Sequence, residues 1–307
     1  MKVLVTGGVG FIGSHLVDSL VSKRHEVFVI DKHINDLSYK NPDAKYITAD
    51  LSNHEIAADH IKDFDVIFHL AGNFSVVKST EDPRFDFENN FLLTFNVLDA
   101  MRRNDMKKIV FTSTAAVYGR QKLFPIKEDI PFNEMLPLSN YAASKLASEI
   151  YIHAFSNLYG VEGLVLRLSN VVGPRSNHGV VPDLIRKIKS NPKKIEVFGN
   201  GEQRKSYIHI FDCINGILIA SEKFKGFDIL NIGYDDWISV KEIVELVCNG
   251  MDMKPEIVYT GGEGGWAGDV PAFILDISKV KSLGWQPRMK IKEAIMDTVK
   301  WHKNLES

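Results

Sequence analysis

The sequence predicts an α/β protein, a Rossmann-type doubly wound parallel sheet followed by a smaller C-terminal α/β substrate lobe. Three observations carry this prediction. Short β-branched runs alternate with segments of helical period, a glycine-rich turn joins the first run to the first helix, and the chain becomes turn-rich near residue 170.

Residues 2–6, 26–31, 45–48, 65–69, 108–113 and 163–168 are apolar runs of strand length. Between them, 12–23, 89–103 and 140–158 carry apolar residues at helical spacing. Phe91, Phe95, Leu98 and Met101 share one helical face, and Leu146, Ile150 and Phe155 are spaced in a similar way. From Asn170 onward the turn-rich pieces GPRSNHG, SNPKK and FGNGEQRKS separate short apolar stretches. The loop at 260–271 holds five glycines and Pro271, too irregular for an element interior. Helices are predicted over 183–189, 211–222, 240–249 and 291–303. The expected division is a dinucleotide-binding domain of residues 1–169 with part of 206–232, and a lobe of 170–205 and 233–307. A ligand crevice is expected between them.

The totals exclude several classes. A hydrophobic share of 45% with 25% charged residues is that of an ordinary globular protein. The net charge of −2 lacks the basic excess of a nucleic-acid binder. Cys213 and Cys248 form no metal-ligand or CxxC pattern and read as buried small hydrophobes in a reducing compartment. The N-terminus MKVLVTGGVGFIG has no long apolar core of a signal peptide, and no stretch approaches the roughly 18 apolar residues of a membrane span. A soluble, cytoplasmic enzyme is expected.

The first strand runs into Thr6-Gly7-Gly8-Val9-Gly10-Phe11-Ile12-Gly13, and a helix follows. Gly7 permits the tight turn, Gly10 lets backbone approach a pyrophosphate, and Gly13 allows the helix to pack closely on the strand. The free N–H groups of the helix start, at Phe11 and Ile12, then face the phosphates. The second strand ends at Asp31, the position of an acid that holds the adenosine ribose hydroxyls and repels a 2′-phosphate. NAD is therefore favoured over NADP, although Lys32 and His33 directly behind Asp31 leave some NADP tolerance open.

Tyr141 and Lys145 lie four residues apart, on one helical face. A phenol of ordinary pKa, about 10, is a poor base at neutral pH. A nearby cation would lower it, so that Tyr141 could take a hydroxyl proton while hydride leaves the same carbon. This spacing is common by chance. The strand ending in Ser113-Thr114 ahead of it adds weight, because a hydroxyl at a strand end sits on the ligand side of such a sheet.

These residues together resemble the extended short-chain dehydrogenase/reductase family, its NAD-dependent epimerase/dehydratase members, and within it the UDP-glucose (UDP-galactose) 4-epimerase branch of archaeal type. The likeness runs through TGGVGFIGSHL at 6–16, Asp31, Ala49-Asp50-Leu51, His69-Leu70-Ala71-Gly72, the stretch from Asn90 to Thr94, and Ser113 to Gly119. It continues through YAASK at 141–145, Arg167 to Pro174, 198–212 and GWAGDVP, ending in LGWQP at 283–287. The resemblance implies that Asp50 and Leu51 flank the adenine, and that Leu70, Ala71, Gly72 and Asn90 line the nicotinamide side. Lys145 would bond the nicotinamide ribose, and Ser113 and Leu168 would complete the cofactor set. Thr114 would meet the substrate oxygen and Asn170 the diphosphate, with Val181, Val197 and Phe198 near the base and Arg204 and Lys205 near the phosphates. Asn170 is otherwise a turn residue, and Val197 and Phe198 are otherwise core side chains.

The same resemblance sorts the reaction. Dehydratases of the family carry Asp-Glu after the strand-end threonine, whereas Ala115 and Ala116 stand here. That favours 4-epimerisation of a nucleotide sugar, UDP-glucose/UDP-galactose first, with Tyr141 as base and NAD held tightly. A homodimer through the helices near 89–103 and 140–158 is implied. Departures are Lys205 in place of an arginine near the diphosphate, Gly264 and Trp266 where arginines are usual, Gly72 for alanine, Phe74 for proline and Ala142 for glycine. Arg175 and His178 are further anion partners to consider. The missing arginines support an epimerase or keto-reductase acting on another nucleotide sugar, of N-acetylhexosamine or uronic acid type. A non-catalytic NAD-binding protein is the third reading.

Overall fold

The computed structural model describes residues 1–34, 39–73, 76–266 and 268–305, with residues 76–78 described for backbone only. Phe74 lies outside the described residues.

The first half of the chain runs β1 (Lys2–Thr6), α1 (Phe11–Ser22), β2 (Glu26–Asp31), β3 (Lys45–Thr48), α2 (His54–His60) and β4 (Val66–His69). Two short helices, α3 (Val76–Glu81) and α4 (Pro83–Asp86), lead through a π-helical turn at Phe87–Leu92 into α5 (Leu93–Arg103). Then come β5 (Lys108–Thr114), α6 (Asn140–Tyr159) and β6 (Glu162–Leu168). The second half holds β7 (Asn170–Val172), α7 (Val180–Ser190), β8 (Lys194–Val197), β9 (Arg204–Lys205), β10 (Tyr207–His209), α8 (Ile210–Lys223) and β11 (Phe227–Ile232). It ends with β12 (Ile238–Ser239), α9 (Val240–Gly250), β13 (Glu256–Tyr259), β14 (Ala272–Phe273), α10 (Ser278–Ser282) and α11 (Ile291–Asn304).

The large sheet has the order β11-β6-β5-β4-β1-β2-β3, the doubly wound order extended by one strand. The β1–β2, β1–β4, β2–β3 and β4–β5 pairs are parallel. β1 is central, and four of its five residues are buried, so it reads as an unbroken apolar run and not as an alternation. The register pairs Thr6 with both Ile30 and His69. The carboxyl ends of β1, β2 and β4 therefore lie side by side, where such sheets bind ligands.

Two compact units emerge. One comprises Met1–Val117, Ser139–Arg167 and Leu218–Leu230, and the other Tyr118–Leu138, Leu168–Ile217 and Asn231–Ser307. Residues 118–138, counted with the dinucleotide domain on sequence grounds, thus fold with the second unit. Their partners are distant in sequence. Tyr118 Oη donates to Asn231 Oδ1 at 2.7 Å, Ile126 N–H donates to the Ile274 carbonyl at 2.8 Å, and Gly119 bridges to Leu136. The first core gathers Leu4, Ile30, Ile67, Val97, Met101 and Phe111, and the second Val181, Ile185, Ile243, Ile295 and Val299.

The predicted helix over 89–103 is interrupted, with its first turn π-helical. That form puts an extra residue in the turn and occurs often at functional sites. By contrast α6 is closed at both ends as its sequence demands. Ser139 accepts from Ala142 N–H at its start, and Gly160 adopts φ 69° at its end.

Candidate active site

The glycine turn has two kinds of glycine. A Cβ on Gly7 (φ +70°) would lie 2.6 Å from Ala71 N, and one on Gly13 would press on the Gly7 carbonyl and lie 2.8 Å from Gly8 Cα. These two serve the packing of α1 on β1 and its neighbour. A Cβ on Gly10 would meet only the Gly7 carbonyl, at 3.3 Å. Gly10 caps α1 with no side-chain hydrogen bond, and no acidic residue stands in the first turn, which begins at Phe11 and Ile12. The N–H groups of that turn have a shape and dipole suited to a pyrophosphate.

Asp31 ends β2 and accepts from His33 N–H at 3.1 Å. Burial raises its pKa, against the lowering effect of that bond and of the His33 charge. Lys32 turns to Asn89, donating to its Oδ1 at 2.7 Å. Asp50 accepts from Ser52 N–H at 3.0 Å. Burial acts to raise its pKa, and the Ser52 bonds with the Lys32 and His33 charges outweigh it and hold the carboxyl low. Leu51 is buried in the first core. Leu70 N–H donates to the Thr6 carbonyl at 3.1 Å, and Ala71 N–H to Thr6 Oγ1 at 3.3 Å.

Gly72 and Asn90 explain each other. Asn90 is 1% exposed; its Oδ1 accepts from Asn73 N–H at 2.8 Å, and its Nδ2 donates to Asp86 and Ser144, each at 3.1 Å. A Cβ on Gly72 would lie 2.6 Å from that Oδ1 and 3.4 Å from Lys145 Nζ. An alanine would therefore have to displace Asn90.

Tyr141 and Lys145 stand on α6, with Thr114 at the end of β5. The Tyr141 phenol is hydrogen-bonded to the Thr114 hydroxyl. Burial pushes the phenol up to about 12, the Thr114 bond opposes this, and the Asp86 charge adds to it. Lys145 is 5% exposed, donates from Nζ to the Thr112 carbonyl at 3.1 Å, and lies 4.7 Å from the Phe111 ring centre. Burial brings its pKa down to about 8, against the charges of Glu149 and Asp86. The expected lowering of the phenol by Lys145 is thus not what this geometry produces. The ammonium is aimed at a carbonyl of β5, and its charge is not among those that act on the phenol here.

Ser113, expected beside the cofactor, donates to Glu149, whose carboxylate meets Arg167 at 2.7 Å with both side chains 1% exposed. Strand alternation explains this, since neighbours on β5 face opposite sides. Two buried groups escaped the sequence reading of the site. His69 sits between Thr6 Oγ1 at 2.7 Å and Thr94 Oγ1 at 3.1 Å, and burial drives it down to about 3, so it is neutral. Asp86 is fully buried, accepts from Asn73 and Asn90, and keeps its Oδ2 without a partner. No motif pointed to Asp86, because its role arises from folding across the π-helical turn.

In the second unit, Leu168, Val181 and Val197 are buried. For Val197 this matches the alternative core reading; for Leu168 and Val181 the burial likewise leaves little side chain to offer a ligand. Asn170 hydrogen-bonds the buried Tyr207 phenol. Phe198 is 49% exposed, with Lys187 Nζ 4.1 Å from its ring centre. Arg204 is exposed on β9. Lys205 pairs with Asp269 at 2.5 Å, and Gly265 N–H donates to the other Asp269 oxygen at 2.9 Å. The charge that replaces the expected arginine is therefore spent on holding the glycine loop. Arg175 adopts a left-handed φ of 68°, and His178 is exposed, its Nδ1 3.0 Å from Asn177 Oδ1. A cavity of about 570 Å³ opens here, lined by Arg120, Leu138, Thr260, Gly261, Trp266 and Asp269 among others. Burial pushes the Cys213 thiol up to about 12, so it stays protonated. Among the described residues no cluster of three or more His, Cys, Asp or Glu could hold a metal, and no helix is long and apolar enough to cross a membrane.

The chain matches the NAD dependent epimerase/dehydratase family over residues 3–233. A protein of Methanocaldococcus jannaschii, provisionally named a UDP-glucose 4-epimerase, is 37% identical, covering 98% of each chain. The solved UDP-glucose 4-epimerase of Thermotoga maritima with UDP-glucose superposes with a TM-score of 0.90 at 31% identity, covering 100% of both chains. The UDP-glucuronic acid 4-epimerase of Bacillus cereus, in complex with UDP-glucuronic acid and NAD, superposes at 0.88 and 27% identity over 99% of this chain and 100% of that one. The chain belongs to the NAD-dependent epimerase/dehydratase family as a nucleotide-sugar epimerase of the extended short-chain dehydrogenase/reductase type.

Proposed function

We propose that the chain interconverts UDP-glucose and UDP-galactose, with Tyr141 exchanging the proton of the sugar 4-hydroxyl. The observation that carries this is the hydrogen-bonded Thr114–Tyr141 hydroxyl pair with Lys145 one helical turn on. NAD, when bound, supplies the reversible hydride acceptor. Gly10 and the first turn of α1 would hold its pyrophosphate, and Asp31 its adenosine ribose.

The chain's own residues divide the proton chemistry. Thr114 positions the substrate oxygen and shares its hydrogen bond with Tyr141. Tyr141, as its phenolate, takes the proton as the carbon is oxidised and, as the phenol, returns it as the carbon is reduced. Lys145, its pKa brought to about 8, donates three hydrogen bonds at most, one already to Thr112, leaving others for the nicotinamide ribose. Ala115 and Ala116 offer no acid that would eliminate water, so the oxidised sugar has only re-reduction open to it.

A second reading, a uronic acid or N-acetylhexosamine substrate, is favoured by the loop chemistry. Lys205 is neutralised by Asp269, and Gly264 and Trp266 replace cations. The assembly we propose is a homodimer through α5, its π-helical lead-in and α6. Phe87, Ile150, Tyr151, Leu158 and Tyr159 on these elements are between 40 and 71% exposed.

Proton NMR of the protein with UDP-galactose, with and without added NAD, tests the proposal. Wild type should produce the UDP-glucose anomeric signal, and Tyr141→Phe should be slower by about 10²–10⁴-fold. Conversion by neither wild type nor mutant would overturn the UDP-hexose assignment.

A further inference from the structure

The cavity in the second unit lacks a free cation at 205, 264 and 266, the places where the family resemblance puts arginines. Lys205 is committed to Asp269, with side chains 12 and 4% exposed, and that pair is self-neutralising. Trp266 presents an indole, 51% exposed, and the neighbouring positions 261, 264, 265 and 268 are glycines. Thr260 Oγ1 is already engaged, accepting from Gly199 N–H at 2.9 Å. One guanidinium lines the cavity among the described residues, and it comes from elsewhere in the chain: Arg120.

Arg120 stands on a firm base. The preceding Gly119 adopts φ 63° and packs so closely on the Leu136 backbone that a Cβ would collide with its carbonyl oxygen. Tyr118, one residue earlier, is fully buried and bonded to Asn231. Beyond this anchored backbone the Arg120 side chain is 58% exposed, and its Nη1 lies 3.6 Å from Glu263 Oε2, itself 82% exposed. An ion pair that long between solvated side chains contributes little and is readily exchanged. A phosphate offers oxygens that match the planar guanidinium fork in two parallel hydrogen bonds, which Glu263 at this distance does not.

Resting on the nucleotide-sugar reading above, we propose that Arg120 is the cation that binds the substrate diphosphate, releasing Glu263 to do so. It takes over the role that arginines at 205, 264 and 266 do not fill in this chain. Glu263 acts as its placeholder, holding the guanidinium at the cavity until phosphate arrives.

Isothermal titration calorimetry with uridine 5′-diphosphate, uridine and UDP-glucuronic acid tests this without any need for turnover. Arg120→Ala should weaken UDP binding by about tenfold or more, the loss of a charge-assisted hydrogen-bonding partner, and leave uridine unchanged. Arg120→Lys should recover only part, since lysine lacks the fork. Glu263→Gln should tighten UDP by removing the competitor. Melting temperature and bound NAD confirm that each variant is folded, and Arg120→Lys carries the test if the alanine variant is not. UDP binding by Arg120→Ala equal to wild type would overturn the proposal while leaving the nucleotide-sugar reading intact. A loss confined to UDP-glucuronic acid would overturn it in favour of a sugar carboxylate as the partner. Failure of the wild type to bind UDP at all would overturn both.

Discussion

Replacing Gly10 and Gly13 by alanine, one at a time, separates a glycine kept for a ligand from a glycine kept for the fold. At Gly10 the backbone (φ −69°, ψ 174°) suits any residue, and the nearest atom to a new methyl is the Gly7 carbonyl oxygen at 3.3 Å. An alanine at a helix N-cap costs about 1 kcal/mol against glycine. The less flexible unfolded chain returns about 0.4–1 kcal/mol. The two nearly cancel. At Gly13 the methyl meets backbone on two sides, the Gly7 carbonyl and Gly8 Cα at 2.8 Å, and backbone cannot rotate away. Overpacking of that kind costs about 3 kcal/mol, while helix propensity returns about 1. With an unfolding entropy of about 2.1 cal/mol/K per residue, a net loss of about 2 kcal/mol lowers the melting temperature of a 307-residue chain by about 3 °C. Circular dichroism melts of cofactor-stripped protein and fluorescence titration with NAD read out the two effects. Gly10→Ala should melt within about 2 °C of wild type yet bind NAD at least about tenfold more weakly, about 1.4 kcal/mol. Wild-type NAD affinity in Gly10→Ala, or an unshifted melt in Gly13→Ala, would refute the division.

Two further outcomes are expected. Asp86 raises the pKa of the Tyr141 phenol, after burial, and supports that of Lys145 against burial, so Asp86→Asn should lower both. The rise of rate with phenol ionisation and its fall with loss of the ammonium should then both move to lower pH in the kcat profile, and an unmoved profile would count against any electrostatic role. Glu149→Gln leaves the buried Arg167 without its counter-charge at 2.7 Å and should cost about 3–5 kcal/mol in urea unfolding. A loss below about 1 kcal/mol would show that the pair is dispensable.

The parts of the molecule that were legible in the sequence are those decided by neighbours along the chain. The glycine turn, Asp31 at the end of β2 and the Tyr141–Lys145 spacing are local patterns, and the strands of the parallel sheet are buried enough to stand out as apolar runs. What was not legible depends on partners far away. Residues 118–138 join the second unit through Asn231 and Ile274, more than a hundred residues on. Ser113 lies in the expected place on β5, but its hydroxyl belongs to Glu149. Nothing near Lys205 in the sequence points to Asp269, 64 residues on, which pairs with it in the fold. Gly72 looked like a departure from pattern until Asn90 was seen to occupy the space of a methyl group.

The open start of α1 has a thermodynamic consequence. A helix with neither a capping side chain nor an acid in its first turn leaves its leading N–H groups to water or to a ligand. Whatever anion docks there completes the helix as well as occupying the site, so cofactor loading and folding draw on the same free energy. By mass action, a cofactor present at a thousand times its dissociation constant adds about 4 kcal/mol to stability. The enzyme would then report the state of the NAD pool through its own lifetime: chains that lose their dinucleotide become the ones most exposed to unfolding and proteolysis.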